Sequence, residues 1–186
     1  MPGLLYFCFM LASKILLRIF SILCFATLSL FMACEDLETI SFDVSQPVVF
    51  SVNETTVNSN GIDYDITATI DISQNSDLQD YLNRIEDVEL NHIEYAISNA
   101  TFQDISLNNA SIETSSGLDI VAAKSIALST GSSGELSLNA PGVNDLETRL
   151  KGSGRDQLKL FGDLTRTPLA CTVTVIFHLT VRARAI

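Results

Sequence analysis

The segment Cys171-Thr-Val173-Thr-Val175-Ile-Phe177-His178-Leu179-Thr-Val181-Arg182-Ala183 decides the fold class. Every odd position in it is apolar, and most even positions are polar. A period of two puts odd and even side chains on opposite faces of an extended chain. The segment therefore predicts a β-strand with one face in a core and the other toward solvent. At ~3.3 Å per residue it would run about 43 Å. Few strands reach that length, so a bend or bulge is expected within it.

The same alternation recurs upstream. Thr39-Ile40-Ser-Phe42-Asp-Val44 alternates, and Asp63–Ile72 sets Tyr64, Ile66, Ala68, Ile70 and Ile72 against a face of Asp and Thr. Shorter candidates are Val48–Val52, Val88–Ser98, Phe102–Leu107, Ala110–Thr114, Leu118–Leu128, Glu135–Leu138 and Gln157–Leu164. Turn clusters such as Asn58-Ser-Asn-Gly61 and Thr130-Gly-Ser-Ser-Gly134 stand between them. Two helices are expected. Ser76 and Gln79 have the spacing of a capping box, with Leu78, Tyr81, Leu82 and Ile85 following on one helical face. Asp145–Lys151 reads as a shorter helix capped by Asn144, with Leu146 and Leu150 inward. The expectation is a mainly β domain: an antiparallel β-sandwich or partly open barrel, with one or two short helices closing its ends.

The chain has 186 residues and a formal charge of −11. Residues 1–33 differ from the rest: they hold no acid, and their charges are Lys14 and Arg18. The remainder carries 22 acids against nine Lys and Arg, giving −13. Such a surface does not fit a nucleic-acid partner, which needs basic side chains against phosphate. The charge is also uneven. Ten acids and no base lie between Cys34 and Asn83, while seven bases and two acids follow from Arg149 onward. Cross-strand pairing between the first and last parts of the sheet would account for this; a dipolar surface that orients the domain is the other explanation.

Residues 1–33 read as a secretory signal peptide. Ile19–Ala33 is an unbroken run of apolar and small residues, shorter than the ~20 apolar residues a transmembrane helix needs. Met10-Leu-Ala-Ser-Lys14-Ile-Leu-Leu-Arg18 is a better basic leader than residues 1–9, so translation is expected to begin at Met10. The run ends in Leu30-Phe31-Met32-Ala33-Cys34, which resembles the lipobox of bacterial lipoproteins. That resemblance implies cleavage between Ala33 and Cys34 and a covalent lipid on Cys34. Phe31 and Met32 depart from the common pattern of a Leu and a smaller residue. It further implies a membrane partner through the anchor and a place in the bacterial cell envelope, at the outer membrane, on either its periplasmic or its surface side. Residues 34–38 form a short acidic tether, at most about 17 Å long when extended, and residues 39–186 form a single domain. With Cys34 acylated, Cys171 has no disulfide partner and is expected to be a buried apolar residue.

Little in the chain points to catalysis. Its two histidines, His92 and His178, stand in no metal or catalytic motif, and Gly131-Ser-Ser-Gly134 has the wrong spacing for a nucleophile elbow. No catalytic residue and no organic cofactor are expected. Asp63, Asp65 and Asp71 fall on one face of one strand, a pattern that calcium, a hard cation, could use if neighbouring loops added oxygens. The absence of Trp, with most Tyr and Phe at inward positions, disfavours a glycan-binding platform. The expected role is a non-catalytic interaction or structural module with a protein partner. The alternatives are a fimbrial subunit donating its terminal strand, a calcium-dependent binding domain, or an enzyme.

Overall fold

The computed structural model describes residues 38–185. These build eight strands: β1 (Thr39–Asn58), β2 (Ile62–Asp71), β3 (Ile85–Ser98), β4 (Ser106–Glu113), β5 (Lys124–Ala127), β6 (Ser133–Leu136), β7 (Arg155–Leu164) and β8 (Thr167–Arg184). One helix, α1 (Ala140–Ser153), precedes β7, and two 3-10 segments, Ile72–Gln74 and Ser76–Arg84, link β2 to β3. The strands form two four-stranded antiparallel sheets. Sheet 1 has the order β1-β8-β3-β6 and sheet 2 the order β2-β7-β4-β5. The expected mainly β, sandwich-like architecture is what the chain adopts, with open sheets rather than a closed barrel.

Alternation explains the packing. All the odd residues of β8 from Leu169 to Ala183 are buried, and β1 adds Val44, Val48, Phe50 and Val52 beside them. Sheet 2 answers with Ile70, Leu107, Ile112, Leu158, Leu160 and Leu164. Removing one such side chain down to Ala typically costs about 2–5 kcal/mol, so the inward faces hold most of the fold's stability.

β8 is longer than expected and runs without an inserted residue of its own. The irregularities sit in its partners. β3 takes an extra residue between Ile85 and Asp87 and again between Leu90 and His92, and β1 takes two between Glu54 and Asn58. The neighbours bulge around a continuous central strand. β8 is paired along both edges, by β1 and β3.

Other boundaries shift for physical reasons. Thr39–Val44 and Val48–Val52 are one strand, because Pro47 lies on an edge strand, where its missing N–H is tolerated. Of Phe102–Leu107 only Ser106 and Leu107 are strand; they join Ala110–Glu113 in β4 across a bulge at Asn109, whose φ is 50°. Of Leu118–Leu128 only Lys124–Ala127 is strand; Ile120 and Val121 are buried from a loop tied by single bridges, Glu113 to Asp119 and Val121 to Leu138.

The first predicted helix is 3-10. Its cap is Asn75, which accepts from Asp77 N, and not Ser76; Leu78 is its buried residue, while Ile85 already belongs to β3. The second begins earlier than expected, at Ala140 with Pro141 in its first turn, but Leu146 and Leu150 are buried as expected. α1 packs on β3 and β7, one strand from each sheet, and so closes one end. It ends on Gly154 in the left-handed conformation (φ 72°), whose N–H donates to Leu150 O at 2.9 Å. β6 covers only Ile93–Ala96 of the outer edge of β3. Beyond it Glu147 of α1 accepts from Leu90 N at 2.8 Å, so that edge donor is satisfied.

Candidate functional site

The outer face of sheet 1 is built from the even residues of β8 and their cross-strand partners. The register aligns Ser45 of β1 with His178 of β8, and His178 with His92 of β3. His92 reaches this face because of the bulge in β3. N-terminal to it, the inward residues are Val88 and Leu90; C-terminal to it, they are Ile93, Tyr95 and Ile97. The inserted residue reverses the phase and turns His92 and Glu94 outward.

The two imidazoles stack with centroids 4.0 Å apart and planes 8° apart. Ser45 Oγ lies 3.1 Å from His178 Nδ1. Glu94, diagonal to His178, places one carboxylate oxygen 3.5 Å from His178 Nε2 and the other 3.9 Å from His92 Nε2. The first is an ion-pair distance but not a hydrogen bond: His178 Nε2 is buried and has no hydrogen-bond partner. The side chains of His92 and Glu94 are 40% and 52% exposed, that of His178 26%. The donor atoms of His92, Glu94 and His178 all lie within 4.8 Å of one another.

The rest of this face is a polar ladder. Thr180 Oγ1 sits between Asp43 and Asn91, at 3.3 and 3.0 Å. Arg182 donates to Asp87 at 2.6 Å and Glu89 at 2.8 Å, and these carboxylates, Glu89 first, hold its guanidinium more firmly protonated. Arg184 pairs with Glu86.

These pairs correct one expectation. The bases of the C-terminal part do pair across strands, but with acids of the middle of the chain: Asp87, Glu89 and Glu86 for the two arginines, Glu113 for Lys159 and Asp104 for Arg166. Among the described residues these close pairs lie with acids of β3, of β4 and of the segment before β4, because β8 runs beside β3 and β7 beside β4.

A second polar cluster ties α1 to the turn after β4. Arg149 bonds Asp145 at 2.8 Å and Ser115 Oγ at 2.9 Å, and buried Asp156 accepts from Ser115 Oγ at 2.5 Å. The Arg149 hydrogen bond, then those of Ser116 and Thr114, hold the Asp145 carboxyl down at about 2.

The predicted aspartates are not brought together as a triad. Asp63 and Asp65 are exposed on β2, opposite Asp163 and Phe161 of β7, and line a shallow surface hollow with Asn109 and Lys159. Asp71 lies eight residues further along the strand, roughly 26 Å from Asp63. Its carboxylate accepts from Ser73 N at 2.9 Å and Ser73 Oγ at 2.5 Å, capping the Ile72–Gln74 turn. Strand distance separates what a shared face alone would join. Cys171 is buried and free, and burial raises its thiol to about 11. Ala33, Cys34, Met10 and the signal segment lie outside the described residues. Among the described residues, no helix is long and apolar enough to cross a membrane.

The sequence matches no protein-family model and no curated protein. Solved structures with a similar arrangement include the decameric BFDV capsid protein, with 11% identity and a TM-score of 0.45 over 77% of this chain and 99% of that one. Desmodium yellow mottle tymovirus gives 14% and 0.38 over 80% and 89%, and turnip yellow mosaic virus at 100 K gives 13% and 0.36 over 79% and 96%. Likeness at this level is too distant to say what the chain does.

Proposed function

We propose that this chain is a lipid-anchored, non-catalytic interaction or structural module of the bacterial cell envelope, held at the outer membrane through Cys34 and engaging a protein partner. The observation that carries the reading is a spacing. Leu30-Phe31-Met32-Ala33-Cys34 closes an apolar run, and β1 begins at Thr39, five residues past the lipidated position. A tether of at most about 17 Å keeps the domain beside the membrane. Diacyl and N-acyl chains on Cys34 would suffice for stable attachment, at about 0.8 kcal/mol per buried methylene. The strand-exchange alternative draws on β8, which is paired on both edges; the module reading leaves that strand in its own sheet.

The test is fractionation and protease treatment of intact cells producing the native chain or its Cys34→Ser variant. Membrane association of the native chain and release of the variant are expected. Equal membrane association of both would overturn the reading. Digestion without lysis would direct the partner search to the cell exterior, and protection until lysis would direct it to periplasmic complexes.

A further inference from the structure

We propose that His92, Glu94 and His178 form a site for one divalent transition-metal ion of the zinc class, with Ser45 as a positioning residue and one coordination position open to water or to a partner's donor. The site is independent of whether Cys34 carries lipid.

The donor set selects the ion. Two imidazole nitrogens and a carboxylate oxygen suit zinc, copper or nickel, whereas calcium takes a shell of hard oxygens. Three protein ligands leave a fourth tetrahedral position vacant. The buried, unpartnered His178 Nε2 points to the ion itself. Ser45 Oγ lies 3.1 Å from Nδ1; in the tautomer whose Nδ1–H donates to it, Nε2 carries the lone pair that a metal takes, on the side of Glu94. A second partner on the far ring nitrogen is the usual way a ligating histidine is oriented. An unpaired acceptor removed from water is costly, and a cation supplies what no donor here does.

The frame is close to what an ion needs. Tetrahedral zinc at ~2.0–2.1 Å from each ligand sets donors about 3.3 Å apart. The carboxylate–imidazole separations are 3.5 and 3.9 Å. The stack itself must open, because a metal lies in the plane of each imidazole that binds it. His92, the more exposed ring, is the one free to turn about its own side-chain torsions. Ser45, His178 and His92 stand on three adjacent hydrogen-bonded strands, so the backbone beneath the site is fixed by the sheet.

The experiment uses the untagged full-length chain in detergent, stripped with chelator and titrated with Zn²⁺ by calorimetry. Imidazole ¹H–¹⁵N spectra are recorded in parallel. The chain has two histidines, both in this site, so the spectra need no variant. One zinc per chain is expected, with both imidazoles shifting. His92→Gln, Glu94→Gln and His178→Gln should each weaken binding at least about tenfold, and Ser45→Ala by a smaller factor. The double variant Asp63→Asn/Asp65→Asn should bind as the native chain does. Unshifted imidazoles in the native chain, undiminished binding in the histidine variants, or loss of binding in the aspartate variant would each overturn the proposal.

Discussion

His92 and His178 face each other across neighbouring strands, rings parallel within 8°, although the inward phase of β3 on its N-terminal side would bury residue 92. One inserted residue, at Asn91, makes the difference.

Deleting Asn91 should therefore be tolerated. Without it Val88, Leu90, Ile93, Tyr95 and Ile97 fall inward on one unbroken alternation, and His92 still stands opposite His178. The exposed bond from Asn91 to Thr180 is lost. A stability change of about 1 kcal/mol or less is expected, read from the midpoint and slope of urea unfolding, and zinc binding should persist. A deletion variant that loses about 3 kcal/mol or more would show that the bulge is itself needed by the sheet.

Two glycines of α1 should respond in opposite directions. A Cβ on Gly142 would lie 2.0 Å from Asp119 O and 2.6 Å from Ile120 N, both backbone atoms that cannot swing away. Gly142→Ala should cost about 2–4 kcal/mol. A Cβ on Gly152 meets nothing within 4 Å. Gly152→Ala should add up to about 1 kcal/mol through helix propensity. Thermal unfolding of the pair gives both signs in one comparison.

Acid should weaken the attachment of α1. Hydrogen bonds from Arg149, Ser116 and Thr114 lower the Asp145 carboxyl from 3.8 to about 2 in the folded chain. Its contribution is whole above the unfolded value and is lost as pH falls through the folded one. Near the surface this amounts to about 1 kcal/mol after solvent screening. Asp145→Asn should then be less stable than the native chain at neutral pH, with the difference closing as pH falls from about 4 to about 2. A gap that stays constant over that range would contradict the assignment.

Cys171 should be silent toward thiol reagents. It is buried, with its thiol raised to about 11, so almost no thiolate exists at neutral pH. Alkylation followed by mass spectrometry of the Cys171 peptide should find it unmodified in the native chain and fully modified in denaturant. Rapid native labelling would show that this part of β8 opens.

Much of this fold is legible in the sequence. The alternation of β8 and β2 names the inward residues correctly, and Leu146 and Leu150 mark the buried face of α1. Legibility fails where burial has no period. Ile120 and Val121 are core residues on a loop, and an apolar run there reads as a longer strand. The histidine site is hidden for another reason. His92 and His178 become neighbours only once β8 lies beside β3, and strand order is set by tertiary packing that a list of strands does not contain. One local trace existed: the inward apolar residues jump from Leu90 to Ile93, with Asn91-His92 between them. That slip is the signature of a bulge. Asp63 and Asp71 fail in the opposite way, since a common face is no guarantee of a common place.

The pairing of β1 with β8 also sets a timetable. A chain that leaves the ribosome, or crosses a membrane, in order of sequence presents β1 first, while the strand that covers it arrives more than a hundred residues later. Through that interval a twenty-residue strand has no partner in its own sheet. Contacts this distant along the chain also form slowly. The newborn protein thus passes through a long sticky phase, in which shielding of an extended, half-apolar segment would protect its yield.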